Sequence, residues 1–144
     1  MLEISKVIQW DMGHRIPQHK SQCKHPHGHR YVLEATLTGP LEDREGHGEE
    51  GMVYDFGNFK ELMMEAVHKP LDHSFMFYHQ DPIMADFFGR HPELQAVQVP
   101  FIPTAENIVR WCYERIQALL PPQLELKACK LYETPNSWAQ YSQD

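Results

Sequence analysis

Residues 13–30 read GHRIPQHKSQCKHPHGHR, a stretch that holds five of the ten histidines of the chain and one of its three cysteines. In an extended chain the side chains at i and i+2 point to the same face, so His27 and His29 can reach one metal ion past the intervening Gly28. His14 supplies a third ligand from a neighbouring segment. Three histidines with one open position are typical of a catalytic zinc site, so we predict zinc at this place.

The spacing of Cys23, which three residues separate from His27, fits two roles. As a fourth zinc ligand, the thiolate would make the site closed, structural and chemically inert. As a thiol beside the metal, it would act as an acid/base or a nucleophile. The positive charges of Lys20 and Lys24, together with His25, favour the thiolate form that such a role requires.

The sequence on both sides of this stretch predicts strands, because polar and apolar residues alternate. In the second strand, Tyr31, Leu33, Ala35 and Leu37 should share one face. The predicted strands cover residues 2–10, 27–38, 125–133 and 137–142, with an irregularity at 6–8. Shorter extended segments are expected at 52–54 and 94–101.

Two helices are predicted from apolar side chains at helical spacing. Asp55 is the expected N-cap of the first helix, which Pro70 should stop. The second helix should begin near Thr104 and end at Pro121. These elements predict an α+β fold, in which one four-stranded antiparallel sheet carries two helices on one face.

The overall composition fits one domain over residues 1–144, with 42% hydrophobic and 23% charged residues. A net charge of -7 disfavours general binding to nucleic acid or to an anionic membrane. Three cysteines without a close pair argue against a disulfide framework and for a reducing compartment. The sequence shows no signal peptide and no apolar segment of transmembrane length, so a cytoplasmic location is expected.

Other polar residues are candidates for a site, and each also has an ordinary structural interpretation. Asp72 could orient His73 as an acid/base pair, or both could belong to a polar loop. Glu106 lies in the first turn of a predicted helix, where the helix dipole favours a carboxylate in any case. Glu133 ends a predicted strand and could accept paired N–H donors from a ligand. The two remaining cysteines are expected in the core.

Together these residues resemble the 6-pyruvoyltetrahydropterin synthase family, and more closely its bacterial branch, the 6-carboxy-5,6,7,8-tetrahydropterin synthases of queuosine biosynthesis. The resemblance spans nearly the whole chain. It rests on His14, on Cys23 with His27-Gly28-His29, on Val53-Tyr54-Asp55-Phe56, on Leu71-Asp72-His73, on Pro103-Thr104-Ala105-Glu106-Asn107 and on Glu133-Thr134. The three-residue gap between the cysteine and the histidine pair favours the bacterial branch, because the pyruvoyl enzymes resemble this motif with a longer gap.

The resemblance implies a role for each candidate. Zinc would be bound by His14, His27 and His29. The catalytic set would be Cys23, Asp72 and His73. The pterin would be bound by Glu133, Thr104 and Glu106. The implied fold is the tunnelling fold (T-fold), whose sheets join between subunits into a barrel, commonly as a hexamer with active sites at subunit interfaces.

The implied substrate is 7,8-dihydroneopterin triphosphate, which would give 6-carboxy-5,6,7,8-tetrahydropterin, triphosphate and acetaldehyde. Alternatives are a pyruvoyl-type synthase that keeps the three-carbon side chain, a structural zinc-binding domain and a pterin-binding protein without activity. The triphosphate is expected near the basic run of His19, Lys20, Lys24, His25 and Arg30. Two segments depart from shorter bacterial members, the charged loop 41–51 and residues 77–94.

Overall fold

A computed structural model of the chain, which describes residues 1–143, contains one six-stranded sheet in the order β4-β3-β1-β2-β5-β6. The strands are β1 Glu3–His14, β2 His27–Thr38, β3 Ser74–Tyr78, β4 Ala96–Val99, β5 Glu125–Thr134 and β6 Ser137–Ser142. Four of them correspond to the predicted strands. The sheet is larger than predicted and mixed rather than antiparallel, because β3 joins β1, and β4 joins β3, in parallel.

The two added strands escaped the prediction for different reasons. The residues around Asp72 and His73 have no clear period in the sequence and suggest a polar loop, but β3 begins directly after them as a short strand whose residues are buried or half-buried. Such a strand shows no alternation, which is usual for parallel strands covered on both faces. The strand β4 falls inside the extended segment expected at 94–101, but no local pattern indicates that β3 is its partner.

The long antiparallel ladder between β1 and β2 forms the centre of the sheet. It is continuous from Glu3 opposite Thr38 to His14 opposite His27, so the irregularity expected at residues 6–8 is wrong. The register shift lies instead between β2 and β5, at Thr36. Because the ladder is uninterrupted, alternate residues keep the same face along the whole of both strands.

The helical segments are α1 Phe56–Met63, a π-helical turn Met64–His68, α2 Lys69–Leu71, α3 Pro82–Arg90 and α4 Ala105–Leu119. Asp55 caps α1 by accepting from the Asn58 N–H, as predicted. Thr104, near which the second helix was expected to begin, caps α4 by accepting from the Asn107 N–H. The helix α3 was not predicted. None of the helices in residues 1–143 is long and apolar enough to cross a membrane.

The segment 41–51 is an exposed loop, as expected, and it closes on itself through backbone bonds. The Glu42 N–H donates to the Met52 carbonyl (2.8 Å), and the Gly51 N–H donates to the Glu42 carbonyl (2.8 Å). Residues 53 and 54 form a bend and residue 52 is irregular, so the short strand expected at 52–54 is absent. Their backbone therefore serves to close the loop and does not extend the sheet.

The core lies between one face of the sheet and the helices. The alternating rows of β1 and β2 supply much of it, namely Ile8, Trp10, Met12, Tyr31, Leu33, Ala35 and Leu37, all of which are buried. Cys112 and Cys129 are also buried, as expected, and burial raises the pKa of the Cys129 thiol to about 12. The two cysteines are therefore packing residues.

The first helix was predicted to stop at Pro70, but it continues through the proline to Leu71. A proline in a helix removes one N–H from the bond to the carbonyl four residues earlier, here Ala66. That carbonyl accepts instead from the Arg115 Nε of α4 (2.6 Å), and the π-helical turn lies in the same place. The guanidinium of Arg115 also packs over the Trp111 ring at 4.7 Å.

This arrangement predicts that Arg115→Met lowers the free energy of unfolding by about 1 kcal/mol, the usual net value of one hydrogen bond. Arg110→Met is the matched control, because Arg110 lies on the same helix in an exposed pair with Glu114 and should cost about 0.5 kcal/mol or less. Urea denaturation of both variants measures the difference. Equal losses would show that the bond to Ala66 does not support the helix at Pro70.

Candidate active site

Three histidines meet at the end of the central ladder. His14 ends β1 opposite His27, and His29 lies two residues further along β2, on the same face. The ligand nitrogens of the three rings all lie within 4.8 Å of one another. The i, i+2 pattern recognised in the sequence therefore brings the predicted metal ligands together.

Backbone carbonyls fix the orientation of two of these rings. His14 Nδ1 lies 2.7 Å from the Pro103 carbonyl oxygen, and His27 Nδ1 lies 2.7 Å from the His25 carbonyl oxygen. Because a carbonyl only accepts, Nδ1 carries the proton in each ring, and Nε2 keeps its lone pair. A hydrogen bond from the far nitrogen of a histidine is the usual support of a metal-binding imidazole.

Burial favours the neutral form of His14 and His29. It lowers the pKa of His14 to about 4, and it is the main cause of the lowered pKa of His29. The Nε2 atoms of both rings are buried and have no hydrogen-bond partner within the described residues. Buried polar atoms are rarely left unpaired, and neutral imidazoles with free Nε2 atoms are what a transition metal requires. The group can therefore hold a metal ion.

A bulge aims Glu133 at this group. The register between β5 and β6 shifts between Tyr132 and Thr134, so Glu133 has no partner on β6. Its carboxylate oxygens lie 3.9 Å from His14 Nε2 and 3.7 Å from His29 Nε2. The carboxylate therefore stands beside the histidines, where it can accept hydrogen bonds from a ligand or approach a bound ion.

A pocket of about 590 Å³ opens next to the histidines. The predicted site residues that line it are His14, Cys23, Thr104, Glu106 and Glu133. Thr104 and Glu106 come from the start of α4, and the others come from β1, from the loop that follows it and from β5. The predicted pterin contacts and the predicted thiol therefore share one cavity with a metal ligand.

Cys23 lies in a single turn of 3-10 helix, Gln22–Lys24, and is half-buried. The Ile16 N–H donates to its carbonyl (2.7 Å), which ties this turn back to the end of β1. Its sulfur does not belong to the group of mutually close ligand atoms. In this geometry the thiol lies beside the metal-binding group, which favours the chemical role over that of a fourth ligand.

Asp72 and His73 form a close pair elsewhere on the sheet. The Asp72 carboxylate lies 2.8 Å from His73 Nδ1 and accepts from the Asp11 N–H (3.1 Å). Burial acts to raise the pKa of Asp72, but the hydrogen bonds from His73 and Asp11 outweigh it, and the pKa lies below its ordinary value. His73 holds a positive φ of 61°, which is uncommon for a residue other than glycine.

The pair does not share a pocket with Cys23. His73 lines a separate depression of about 500 Å³, whose other walls include Asp11, Gly13, Gly28 and Arg30. Asp11 and Arg30 alternate with the buried Met12 and Tyr31, so these two side chains lie on the sheet face opposite the core, while His29 of the histidine group also lines the depression. Within one chain, Cys23 and the Asp72–His73 pair therefore lie at two different places.

Arg30 also lies apart from the basic run with which it was grouped. Its guanidinium donates to both Asp11 carboxylate oxygens (2.8 and 3.0 Å) on this opposite face. His19, by contrast, lines the pocket that contains Cys23. Sequence analysis also missed the backbone acceptors at Pro103 and His25, because a carbonyl leaves no signal in a sequence.

Comparisons with known proteins agree with this geometry. The family model described as 6-pyruvoyl tetrahydropterin synthase matches residues 3–144. The chain is 30% identical, over 99% of its length and all of the relative, to the 6-carboxy-5,6,7,8-tetrahydropterin synthase of Haemophilus influenzae. It is 34% identical to the protein of the same name from Rickettsia bellii, over 97% of this chain and 99% of that one.

Solved structures share the fold. An uncharacterized protein of Wolinella succinogenes matches with a TM-score of 0.78 and 24% identity, over 99% of this chain and 98% of that one. The 6-pyruvoyl tetrahydropterin synthase of Caenorhabditis elegans matches with a TM-score of 0.68 and 22% identity, over 99% and 96%. The predicted tunnelling fold is thereby confirmed, and the chain belongs to the 6-pyruvoyl tetrahydropterin synthase family of lyase-type enzymes.

Proposed function

We propose that this protein converts 7,8-dihydroneopterin triphosphate to 6-carboxy-5,6,7,8-tetrahydropterin, with release of triphosphate and acetaldehyde, as a step of queuosine biosynthesis. The observation that carries the proposal is the pocket lined by His14 of the histidine group, by Cys23 and by Glu133. The full-length relatives named 6-carboxy-5,6,7,8-tetrahydropterin synthase support this reaction over others on the same fold.

The proposed metal is zinc, held by His14, His27 and His29. Bound there, it supplies Lewis acidity to the oxygens of the substrate side chain. Neutral imidazoles suit zinc, and three of them leave one coordination position for substrate. The burial of His14 and His29 fits this role, because it lowers the pKa of both rings and so favours the unprotonated form that binds a metal.

Each pocket residue has a defined task in this proposal. The Glu133 carboxylate accepts hydrogen bonds from the 2-amino group and N3–H of the pterin and so orients the ring, while Thr104 and Glu106 line the cavity. The Cys23 thiolate takes a proton from the substrate side chain. His73, oriented by the Asp72 carboxylate, is the partner acid/base for protons that move between side chain and ring.

A homo-oligomer is part of the proposal. Cys23 and the Asp72–His73 pair lie in different pockets of one chain, on opposite faces of the sheet. Proton transfer between groups requires hydrogen-bond distances, so the complete site would take its Asp72–His73 pair from a second subunit. This arrangement agrees with the hexameric assembly, with active sites at subunit interfaces, that the sequence resemblance implies.

The second candidate is the pyruvoyl-type reaction, which uses the same residues but keeps the three-carbon side chain. It is favoured by the shared fold of the 6-pyruvoyl tetrahydropterin synthase from Caenorhabditis elegans. Product mass separates the two reactions, because only one of them releases acetaldehyde.

The proposed reaction predicts a specific product. Zinc-loaded protein incubated with 7,8-dihydroneopterin triphosphate should yield the 6-carboxy product and acetaldehyde, identified by mass spectrometry. Cys23→Ala should lower kcat by about 100-fold or more, the usual value of a lost acid/base group. Cys112→Ala, which alters a buried thiol outside the pocket, is the matched control and should stay close to wild type. A pyruvoyl product, or full activity of Cys23→Ala, would contradict this proposal.

The proposal assigns metal binding and pterin binding to different residues, so variants should affect the two separately. His29→Ala should lower zinc affinity by about 100-fold or more, because it removes one of three ligands. Glu133→Gln should keep zinc but weaken pterin binding, since an amide cannot replace a carboxylate that accepts two N–H bonds. Titration with a competing chelator and equilibrium dialysis with a pterin measure the two affinities, with His91→Asn on the exposed surface as control. Loss of zinc from Glu133→Gln would make Glu133 a metal ligand instead.

A further inference from the structure

Arg15, the residue directly after His14, makes hydrogen bonds in two directions. Its Nε and Nη2 donate to the two carboxylate oxygens of Asp81, both at 2.7 Å, and its Nη1 donates to the Lys24 carbonyl (3.0 Å). One guanidinium therefore connects the end of β1, the turn that carries Cys23 and the segment before α3. A planar group with five N–H donors is suited to such a three-way contact.

Asp81 is a firm anchor for this contact. The residue is only 1% exposed, and the same carboxylate caps α3 by accepting from the Met84 N–H (3.3 Å). Burial acts to raise the pKa of Asp81, but the hydrogen bonds from Arg15 and from the Met84 N–H outweigh it. The pKa therefore lies below its ordinary value, and the carboxylate stays charged. Asp81 belongs to the segment 77–94, to which none of the proposed catalytic residues belongs.

The turn that carries Cys23 has few other supports. The 3-10 helix Gln22–Lys24 has no buried residue and no side-chain cap. Its bonds to the body of the protein include the Ile16 N–H to the Cys23 carbonyl (2.7 Å) and the Arg15 contact to Lys24. A turn that buries no side chain depends on such bonds for its order.

We infer that Arg15 is a positioning residue, whose guanidinium is fixed by Asp81 and holds the turn Gln22–Lys24 so that the Cys23 thiol stays in the pocket beside His14. The inference rests on the proposed function, because that function gives the thiol its task. It also assigns a role to α3 and the segment around it, which anchor the turn from outside the pocket.

Arg15→Lys is the informative variant. A lysine keeps a positive charge next to the Asp81 carboxylate, but one ammonium group cannot reproduce the two-pronged contact and also reach the Lys24 carbonyl. If Arg15 serves only to neutralise a buried charge, Arg15→Lys should behave as wild type. If it positions the turn, the thiol should be displaced while the fold, the zinc site and the pterin contacts remain.

The test compares Arg15→Lys with wild type by steady-state kinetics and by amide hydrogen exchange. We expect kcat to fall by about 10- to 100-fold, as for a small misplacement of a catalytic group, with KM and zinc content changed less than about threefold. Exchange in residues 16–24 should become about tenfold faster, the effect of one lost hydrogen bond, while exchange in α4 stays unchanged. Asp81→Asn, which keeps a cap acceptor but loses the charge, should show the same pattern.

Arg90→Lys is the matched control, because Arg90 contacts Asp86 in an exposed pair on α3 and does not touch the turn. Unchanged exchange in residues 16–24 of Arg15→Lys, or a uniform acceleration that includes α4, would overturn the inference. The exchange arm does not depend on turnover. If wild-type protein shows no activity, the proposed function fails, while the exchange result still decides whether Arg15 holds the turn.

Discussion

The ladder between β1 and β2 is the constraint on which the site depends. It runs without a bulge from Glu3 to His14, so every second residue of β1 lies on the same face over the whole strand. That face buries Trp10 and Met12 in the core and then presents His14 to the histidines of β2. A slip of one residue would turn every core side chain outward and separate the imidazoles, so folding and site assembly are one event.

Desolvation connects this fold to its chemistry. The imidazole of His14 is almost wholly buried, which holds its pKa near 4 and makes it a neutral donor at physiological pH. The carbonyls of Pro103 and His25 fix the tautomers of His14 and His27. The Glu133 carboxylate lies 3.9 Å from His14 Nε2 and 3.7 Å from His29 Nε2. Burial thus sets the protonation state of His14, and backbone carbonyls set the tautomer, which leaves few side chains to reveal the arrangement in the sequence.

Much of this could be predicted from the sequence, since alternation, helical spacing and caps are local signals. Such signals predict the four longer strands, the N-cap Asp55, the start of α4 near Thr104 and the convergence of the three histidines. The missed features depend on distant partners. The short strand β3 forms by pairing with β1 and β4, which are distant in the sequence. The helix continues through Pro70 because Arg115 donates to the Ala66 carbonyl that the proline leaves free. The separation of Cys23 from Asp72 and His73 likewise follows from sheet pairing, which no local pattern encodes.

The central claim is an open three-histidine metal site with the thiol of Cys23 beside it and outside the coordination sphere. X-ray absorption at the zinc edge of the purified, zinc-loaded protein tests it directly. If zinc is bound by the three histidines, its ligands should be nitrogen and oxygen atoms at about 2.0–2.1 Å, with multiple scattering from three imidazoles. A sulfur ligand at about 2.3 Å would instead place Cys23 on the metal, close the site and contradict the proposed chemistry.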